Sequence, residues 1–180
     1  MHIAAVEKGM LGANAIVGGG PPLIVGAALS AKTLGTDRVG VSFTGDGGSN
    51  QGTTFEAMNL AVVLQVPAIF LFENNGYGEG TAAGYAVGSK DIASRAAAFG
   101  MPALKVDGAD IFAVYDTCQK AVKHCRAGKG PITIEASITR FRGHFEGDAQ
   151  AYRGKDEVKR LMRDLDCLKI ASDNAIKKKL

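Results

Sequence analysis

Asp46 and Asn75 are the residues of this chain best suited to chemistry, and their spacing says how they meet. The triplet Gly45-Asp46-Gly47 follows an apolar run at residues 39–44, and the pair Asn74-Asn75 follows another at 68–72. The 26 residues between Gly47 and Asn74 are room for one helix and the second strand of a crossover unit. A parallel sheet then sets both strand ends side by side, at the edge where such sheets bind ligands. Asp46 offers a carboxylate and Asn75 an amide oxygen, and the flanking glycines let the backbone come close to something bulky. Two hard oxygen ligands with open positions beside them suit Mg²⁺ held together with a phosphate. Gly-Asp-Gly alone would read as a turn aspartate capping the next helix. The Asn75 partner at this separation favours the metal. Asn74 is read as structural, shaping the turn.

The elements that must position these groups follow from pattern. Residues 1–20, rich in glycine, read as a loop leading to a helix. Pro21-Pro22 suits a helix start, with the helix running from Leu23 to Leu34. Small residues along it (Gly26, Ala27, Ala28, Ser30, Ala31) admit a close neighbour. Residues 39–44 read as a buried strand, Thr53 to Gln65 as a helix, 67–72 as a strand and 73–89 as a long loop. Asp91 caps a helix to Phe99, and 103–107 form a short strand. From Asp110, apolar residues recur at helical spacing until Gly128 ends the helix. Pro131 to Ile138 is a strand, followed by a loop to Tyr152 and a charged helix from Asp156. Alternating strands and helices imply a doubly wound parallel α/β sheet.

Length and composition bound the function classes. The 180 residues form one domain, with 46% hydrophobic and 22% charged residues and a net charge of +3. That charge is too small to argue for nucleic acid, and no apolar run is long enough to span a membrane. Residues 139–180 carry 11 Lys/Arg against 7 Asp/Glu. The basic tail Lys177-Lys178-Lys179 reads as a solvated helix end. No secretory leader opens the chain. Cys118 and Cys125 are seven apart on one helix, a rise of about 10.5 Å, too far for a disulfide. The cysteines fit a reducing cytoplasm. Gly18-Gly19-Gly20 lacks the preceding strand and the Lys-Ser/Thr of a phosphate loop. His144 lies in a polar loop beyond a strand end on the ligand side, whereas His124 sits on the polar face of its helix and reads as inert.

The spacing Gly-Asp-Gly, 26 residues, Asn-Asn resembles the thiamine diphosphate motif. The likeness extends through Met1-His2, Gly12-Ala-Asn-Ala-Ile-Val-Gly18, Gly45-Asp-Gly-Gly-Ser-Asn-Gln-Gly52, Phe55-Glu-Ala-Met-Asn59, Glu73-Asn-Asn-Gly-Tyr77 and Arg140-Phe-Arg-Gly-His144. In that order these are similar to the α subunits of two-component 2-oxo acid dehydrogenases such as pyruvate dehydrogenase. The stretch His144 to Arg153 is closer to the α subunits of acetoin dehydrogenases.

The resemblance implies thiamine diphosphate and Mg²⁺ as cofactors. It implies that Asp46, the Asn75 side chain and the Tyr77 carbonyl ligate the metal, and that Gly45, Gly47 and Gly48 meet the diphosphate, the N–H groups of the last two at a helix start. The backbone at Ala15 and Val17 would meet the aminopyrimidine. Family members often carry glycine at the position of Ala15, which matters only if φ must be positive there. His144 would act beside the diphosphate and the reacting carbon. Arg140 and Arg142 would touch phosphate or pair with Glu146 or Asp148. His2 matches a family histidine of little weight. Animal pyruvate dehydrogenases carry a regulatory serine next to the matching histidine, where this chain has Phe145 and Glu146.

By the same resemblance the reaction is cleavage of acetoin to acetaldehyde and a hydroxyethyl adduct, passed oxidatively to a lipoyl group. The partners are a β subunit in an α2β2 assembly, which supplies the activating glutamate, and a lipoyl-bearing acyltransferase. Against the family's full-length subunit, the chain lacks N-terminal and C-terminal parts. The alternatives are a pyruvate or branched-chain 2-oxo acid dehydrogenase α subunit, and a non-catalytic module that only binds a β subunit.

Overall fold

The computed structural model describes residues 2–179. Two short antiparallel strands come first, β1 (Ile3–Ala5) and β2 (Met10–Ala13), where the sequence reading expected only loop. Both are exposed along almost their whole length, so burial imposed no alternation for the reading to detect. Helix α1 (Gly20–Thr33) follows, with Pro21 and Pro22 in its first turn, where missing N–H donors cost nothing. Val25, Ala28 and Ala31 form its buried stripe. The packing against the next strand is close: a Cβ on Gly40 would lie 2.8 Å from Ile24 Cγ2.

Strand β3 (Gly40–Gly45), helix α2 (Gly52–Leu64) and strand β4 (Ala68–Asn74) make the expected crossover unit. The segment expected to be loop then folds a small hairpin, β5 (Tyr77–Gly78) and β6 (Thr81–Ala82), and one helical turn, α3 (Ala83–Ala86). These elements are too short for periodicity to register. Next come α4 (Ala93–Ala98), β7 (Ala103–Asp107), α5 (Ile111–Arg126) and β8 (Ile132–Ser137). Helix α4 starts on the Asp91 carboxylate, which accepts from Ser94 N at 2.6 Å, and α5 on Asp110, which accepts from Phe112 N and Ala113 N. The chain ends in α6 (Glu157–Asp164) and α7 (Cys167–Lys178). The sequence reading had only the first of this pair.

The main sheet runs β3-β4-β8-β7, all parallel. On one face Phe70 and Phe72 pack with Val25 and Ala28 of α1, Ala57, Met58 and Ala61 of α2, and Ala96 of α4. On the other, Ile69, Ile132, Ile134 and Ala136 pack against Ala121 and Cys125 of α5. Helices on both faces make this the doubly wound parallel α/β sheet that the alternation implies. β3 departs from expectation. It pairs only with β4 among the described residues, and Phe43 is 66% exposed, so it is a half-covered edge. No described helix is long and apolar enough to cross a membrane.

A parallel sheet puts every strand's carboxyl end on one side, so Gly45, Asn74 and Ser137 end close together: Gly45 is level with Glu73, and Asn74 with Ser137. The Phe70 side chain is 1% exposed at the centre of the larger core. Phe70→Ala is therefore expected to cost about 3–5 kcal/mol in urea denaturation. Leu60→Ala, at a site 47% exposed, should stay within about 0.5 kcal/mol. Equal losses at the two sites would contradict this placement of the core.

Candidate active site at the carboxyl edge of the sheet

Asp46 is the first residue beyond β3 and is 2% exposed. Its Oδ1 is buried and meets no hydrogen-bond donor. Burial pushes the carboxyl above its ordinary pKa; the backbone N–H groups of Asp46 itself and of Asn75, and the charge on Arg140, pull it back. An ionised carboxylate held out of water with an unpaired oxygen is costly unless a cation meets it. Ser49 Oγ donates to the Asp46 carbonyl at 2.7 Å and fixes the turn. The turn is tight: a Cβ on Gly47 would lie 3.0 Å from Gly78 Cα, and one on Gly78 would lie 2.9 Å from Gly47 Cα. Glycine on both sides lets the loop after β3 touch the loop after β4 backbone to backbone. Gly47 and Gly48 do not open an α-helix as expected. A 3-10 turn (Gly48–Asn50) comes first, and α2 starts at Gly52. The reason is local: Gln51, in extended conformation, separates the two.

The loop after β4 is built from two consecutive side-chain turns. Asn74 Oδ1 accepts from Gly76 N at 3.2 Å, and Asn75 Oδ1 accepts from Tyr77 N at 3.0 Å. Asn74 also donates from Nδ2 to Glu135 at 2.9 Å, which is the structural role expected of it. The Tyr77 carbonyl takes a long contact, 3.4 Å, from Arg140 Nη1. A cation at that oxygen would share it with the guanidinium.

The candidate donors are one carboxylate, one amide oxygen and one main-chain carbonyl, all lining the same cavity. Among the described residues there is no cluster of three His, Cys, Asp or Glu side chains fit for a metal. A site with a single acidic ligand suits a hard cation that completes its shell with phosphate oxygens and water. The orphaned Asp46 oxygen is the observation that fits Mg²⁺ here.

Asn14 Oδ1 accepts from Ile16 N at 2.9 Å and shapes the segment holding Ala15 and Val17. Ala15 is not among the residues with positive φ, so a glycine is not required there. Thr53 Oγ1 donates to the Gly18 carbonyl at 3.0 Å and ties this segment to α2. Ala15, Val17, Gly45, Asp46, Gly47, Gly48, Asn75, Tyr77 and His144 all line one open trough of about 1440 Å³. The metal, cofactor and catalytic residues proposed from sequence are therefore brought to one cavity, whereas Arg142 and His2 do not line it.

His144 is exposed at the trough, and its loop is held by Asp148. The Asp148 carboxylate accepts from His144 N at 2.8 Å, Gln150 N at 2.8 Å and Tyr152 OH at 2.7 Å. These bonds, the tyrosine's first, bring its pKa down to about 2. Arg140 donates to Tyr152 OH at 2.5 Å and to the Glu79 carbonyl at 2.8 Å, and makes no ion pair with Glu146 or Asp148. Arg142 is exposed and makes none among the described residues. His124 is half-buried rather than solvated, with Nε2 lacking a partner, and is not part of the trough. His2 is exposed and outside the trough, and Met1 lies outside the described residues.

Sequence reasoning missed Glu135, Arg95 and Tyr152. Glu135 carried a readable signal, a lone charge inside the β-branched run of β8. Arg95 and Tyr152 carried none.

Residues 1–180 match the family model for the dehydrogenase E1 component. The α subunit of acetoin:2,6-dichlorophenolindophenol oxidoreductase from Cupriavidus necator is 50% identical over 170 residues, 94% of this chain and 51% of that protein. Its Bacillus subtilis counterpart is 52% identical over 168 residues, 93% of this chain and 50% of that protein. The pyruvate dehydrogenase E1 component α subunit of Rhizobium meliloti is 40% identical over 166 residues, 92% and 48%. The chain spans about half the length of the curated relatives it matches. Among solved structures, the X-ray structure of a candidate thiamin diphosphate-dependent enzyme from Mycobacterium smegmatis superposes with a TM-score of 0.54 at 25% identity, covering 69% of this chain and 22% of that one. With its whole length matched, the chain belongs to the dehydrogenase E1 component family.

Proposed function

We propose that the chain is the portion of an E1 α subunit that holds thiamine diphosphate and Mg²⁺, in an enzyme acting on acetoin. The observation that carries this is the buried, half-unpaired Asp46 carboxylate facing a trough shared with Asn75 and the Tyr77 carbonyl. Asp46, Asn75 and the Tyr77 carbonyl would ligate Mg²⁺, and the N–H groups of Gly47 and Gly48, with Gly45 leading into the turn, would meet the diphosphate. The backbone of Ala15 and Val17 would receive the aminopyrimidine ring. When bound, the cofactor supplies a nucleophilic carbon and an electron sink. The chain's own task is to fix the charged end and to move protons. His144, on a loop pinned by Asp148, can hydrogen-bond a phosphate oxygen or pass a proton to the substrate's carbonyl oxygen.

The identities support acetoin: 50% and 52% to the two acetoin-oxidoreductase subunits against 40% to a pyruvate dehydrogenase subunit. Decarboxylation of pyruvate or a branched-chain 2-oxo acid is the second reading, and the same metal site serves it.

A β subunit, in an α2β2 assembly, is the partner this reading requires. Glu56 is exposed on α2 and does not line the trough, so under this reading the activating glutamate would come from the β subunit. Ile16, Val17, Leu23, Leu34 and Phe43 are exposed along the trough and offer apolar area for a partner. The acceptor is a lipoyl-bearing acyltransferase, and the compartment is the cytoplasm, in keeping with three free cysteines. The chain would act as one thiamine diphosphate-binding domain of a longer subunit.

Asp46→Asn is expected to abolish Mg²⁺-dependent binding of thiamine diphosphate in calorimetric titration. Because burial raises the carboxyl's pKa, the fold favours its neutral form; the stability it lends is present below the ordinary value and lost as pH rises through the raised one. At pH 7 the metal-free variant should therefore melt no lower than the parent. Retained Mg²⁺-dependent binding in the variant would contradict the metal assignment.

His144→Ala, in a complex reconstituted with the β subunit, should lower acetoin turnover about 10²–10⁴-fold. Its stability change should be about 0.5 kcal/mol or less, because the residue is an exposed loop side chain. Unchanged turnover with acetoin and with pyruvate would return His144 to the status of a solvated loop residue.

A further inference from the structure

We propose that Glu135 is a positioning residue for the cation-binding loop, acting through Asn74; the proposal rests on the metal-site reading above. Glu135 is 4% exposed in the middle of β8. Its strand neighbours Ile134 and Ala136 face the core under α5, so its own side chain turns to the α4 side, level with Phe72. A parallel strand buried on both faces normally carries an apolar residue there. A buried carboxylate is weak evidence for stability, since a hydrophobic residue of similar volume often does as well. Its bonds indicate what it does instead. Oε2 accepts from Ile92 N at 3.1 Å and Ala93 N at 2.9 Å, at the start of α4, and Oε1 accepts from Asn74 Nδ2 at 2.9 Å.

Those bonds fix the amide of Asn74. With Nδ2 committed to Glu135, Oδ1 must face the chain, where it accepts from Gly76 N and sets the turn that carries Asn75 and the Tyr77 carbonyl. The opposite side of the site is anchored to the same helix. Arg95, on α4, donates to the Ser49 carbonyl at 3.0 Å, to Ser49 Oγ at 3.2 Å and to Asn50 Oδ1 at 2.8 Å. Ser49 Oγ in turn holds the Asp46 carbonyl. Helix α4 thus brackets both metal-bearing loops, with Glu135 as its link to the second. Outer residues that orient metal ligands typically contribute about 10–100-fold in metal affinity.

The test uses Mn²⁺ as the spectroscopic stand-in for Mg²⁺, titrated by electron paramagnetic resonance into the chain with thiamine diphosphate. Glu135→Gln places an amide N–H₂ against either Asn74 Nδ2 or the α4 donors, and Asn74→Ala removes the link while leaving Glu135 on α4. Each is expected to raise the Mn²⁺ dissociation constant about 10–100-fold, and Glu135→Gln should add little in the Asn74→Ala background. Asn74→Ala leaves Glu135 Oε1 unpaired in the core, so its metal-free melting temperature should fall as well, and the dissociation constant is the deciding readout. A purely structural role would lower the melting temperature and leave the dissociation constant within about twofold, which would overturn the proposal, as would independent, additive losses. If Glu135→Gln does not fold, Glu135→Asp, which draws the carboxylate back from Asn74 by one methylene and leaves Asn74 itself intact, is read on the same two quantities. Asp46→Asn separates the layers: loss of Mn²⁺ binding there with none in Asn74→Ala overturns the positioning role only, and intact binding in Asp46→Asn overturns the metal site with it.

Discussion

A carboxylate taken out of water must be paired, protonated or neutralised by a cation, and the arrangement around Asp46 is organised by that constraint. The side chain is 2% exposed with one oxygen unpaired, and Arg140 reaches it only as a nearby charge. Pairing it with a fixed basic residue would have stabilised the metal-free fold and closed the site. Under the proposed reading, leaving it half-satisfied would keep that stability for a ligand that brings its own positive charge. The glycines at 47 and 78 let the loops after β3 and β4 approach backbone to backbone beside this carboxylate.

The parallel sheet supplies the geometry. β3 and β4 are adjacent and in register up to Gly45 and Glu73, so Asp46 and Asn75 emerge close together without long-range adjustment. β8 lies next, and beyond its end the chain returns past the site as the loop bearing His144. That loop has little buried apolar surface. It is ordered by polar contacts instead: Asp148 gathers three donors, and Arg140 joins Tyr152 to the Glu79 and Tyr77 carbonyls. Order that rests on polar groups with little core behind them belongs to the less stable part of a structure. A loop of this kind can carry a proton-transfer group without the core having to move.

The sheet, and the meeting of Asp46 with Asn75 at its carboxyl edge, were legible in the sequence because both leave period or spacing behind. The apolar runs ending at Gly45-Asp46 and at Asn74-Asn75 showed two strands and the distance between them. Asp110 and Gly128 marked both ends of α5 by cap chemistry. The β1–β2 hairpin left no mark, since its residues are exposed and face no core. The edge position of β3 could not be read because its apolar run resembles that of a central strand, and only the strand pairing of the folded chain separates them. Arg95 reaches Ser49 and Asn50 from a distant element, and Tyr152 ties Arg140 to Asp148, through side-chain hydrogen bonds that no periodic pattern encodes. Glu135 was visible as an exception to its strand, and exceptions of that kind fall at functional or strained sites.

The central claim is that Asp46 and Asn75 face a single divalent cation shared with a diphosphate. The most direct measurement is anomalous X-ray diffraction from crystals grown with Mn²⁺ and thiamine diphosphate. One manganese peak is expected, within about 2.0–2.3 Å of an Asp46 carboxylate oxygen and of Asn75 Oδ1, with diphosphate oxygens completing the shell. Cofactor density in the trough with no metal peak at Asp46, or a peak ligated elsewhere, would contradict the account.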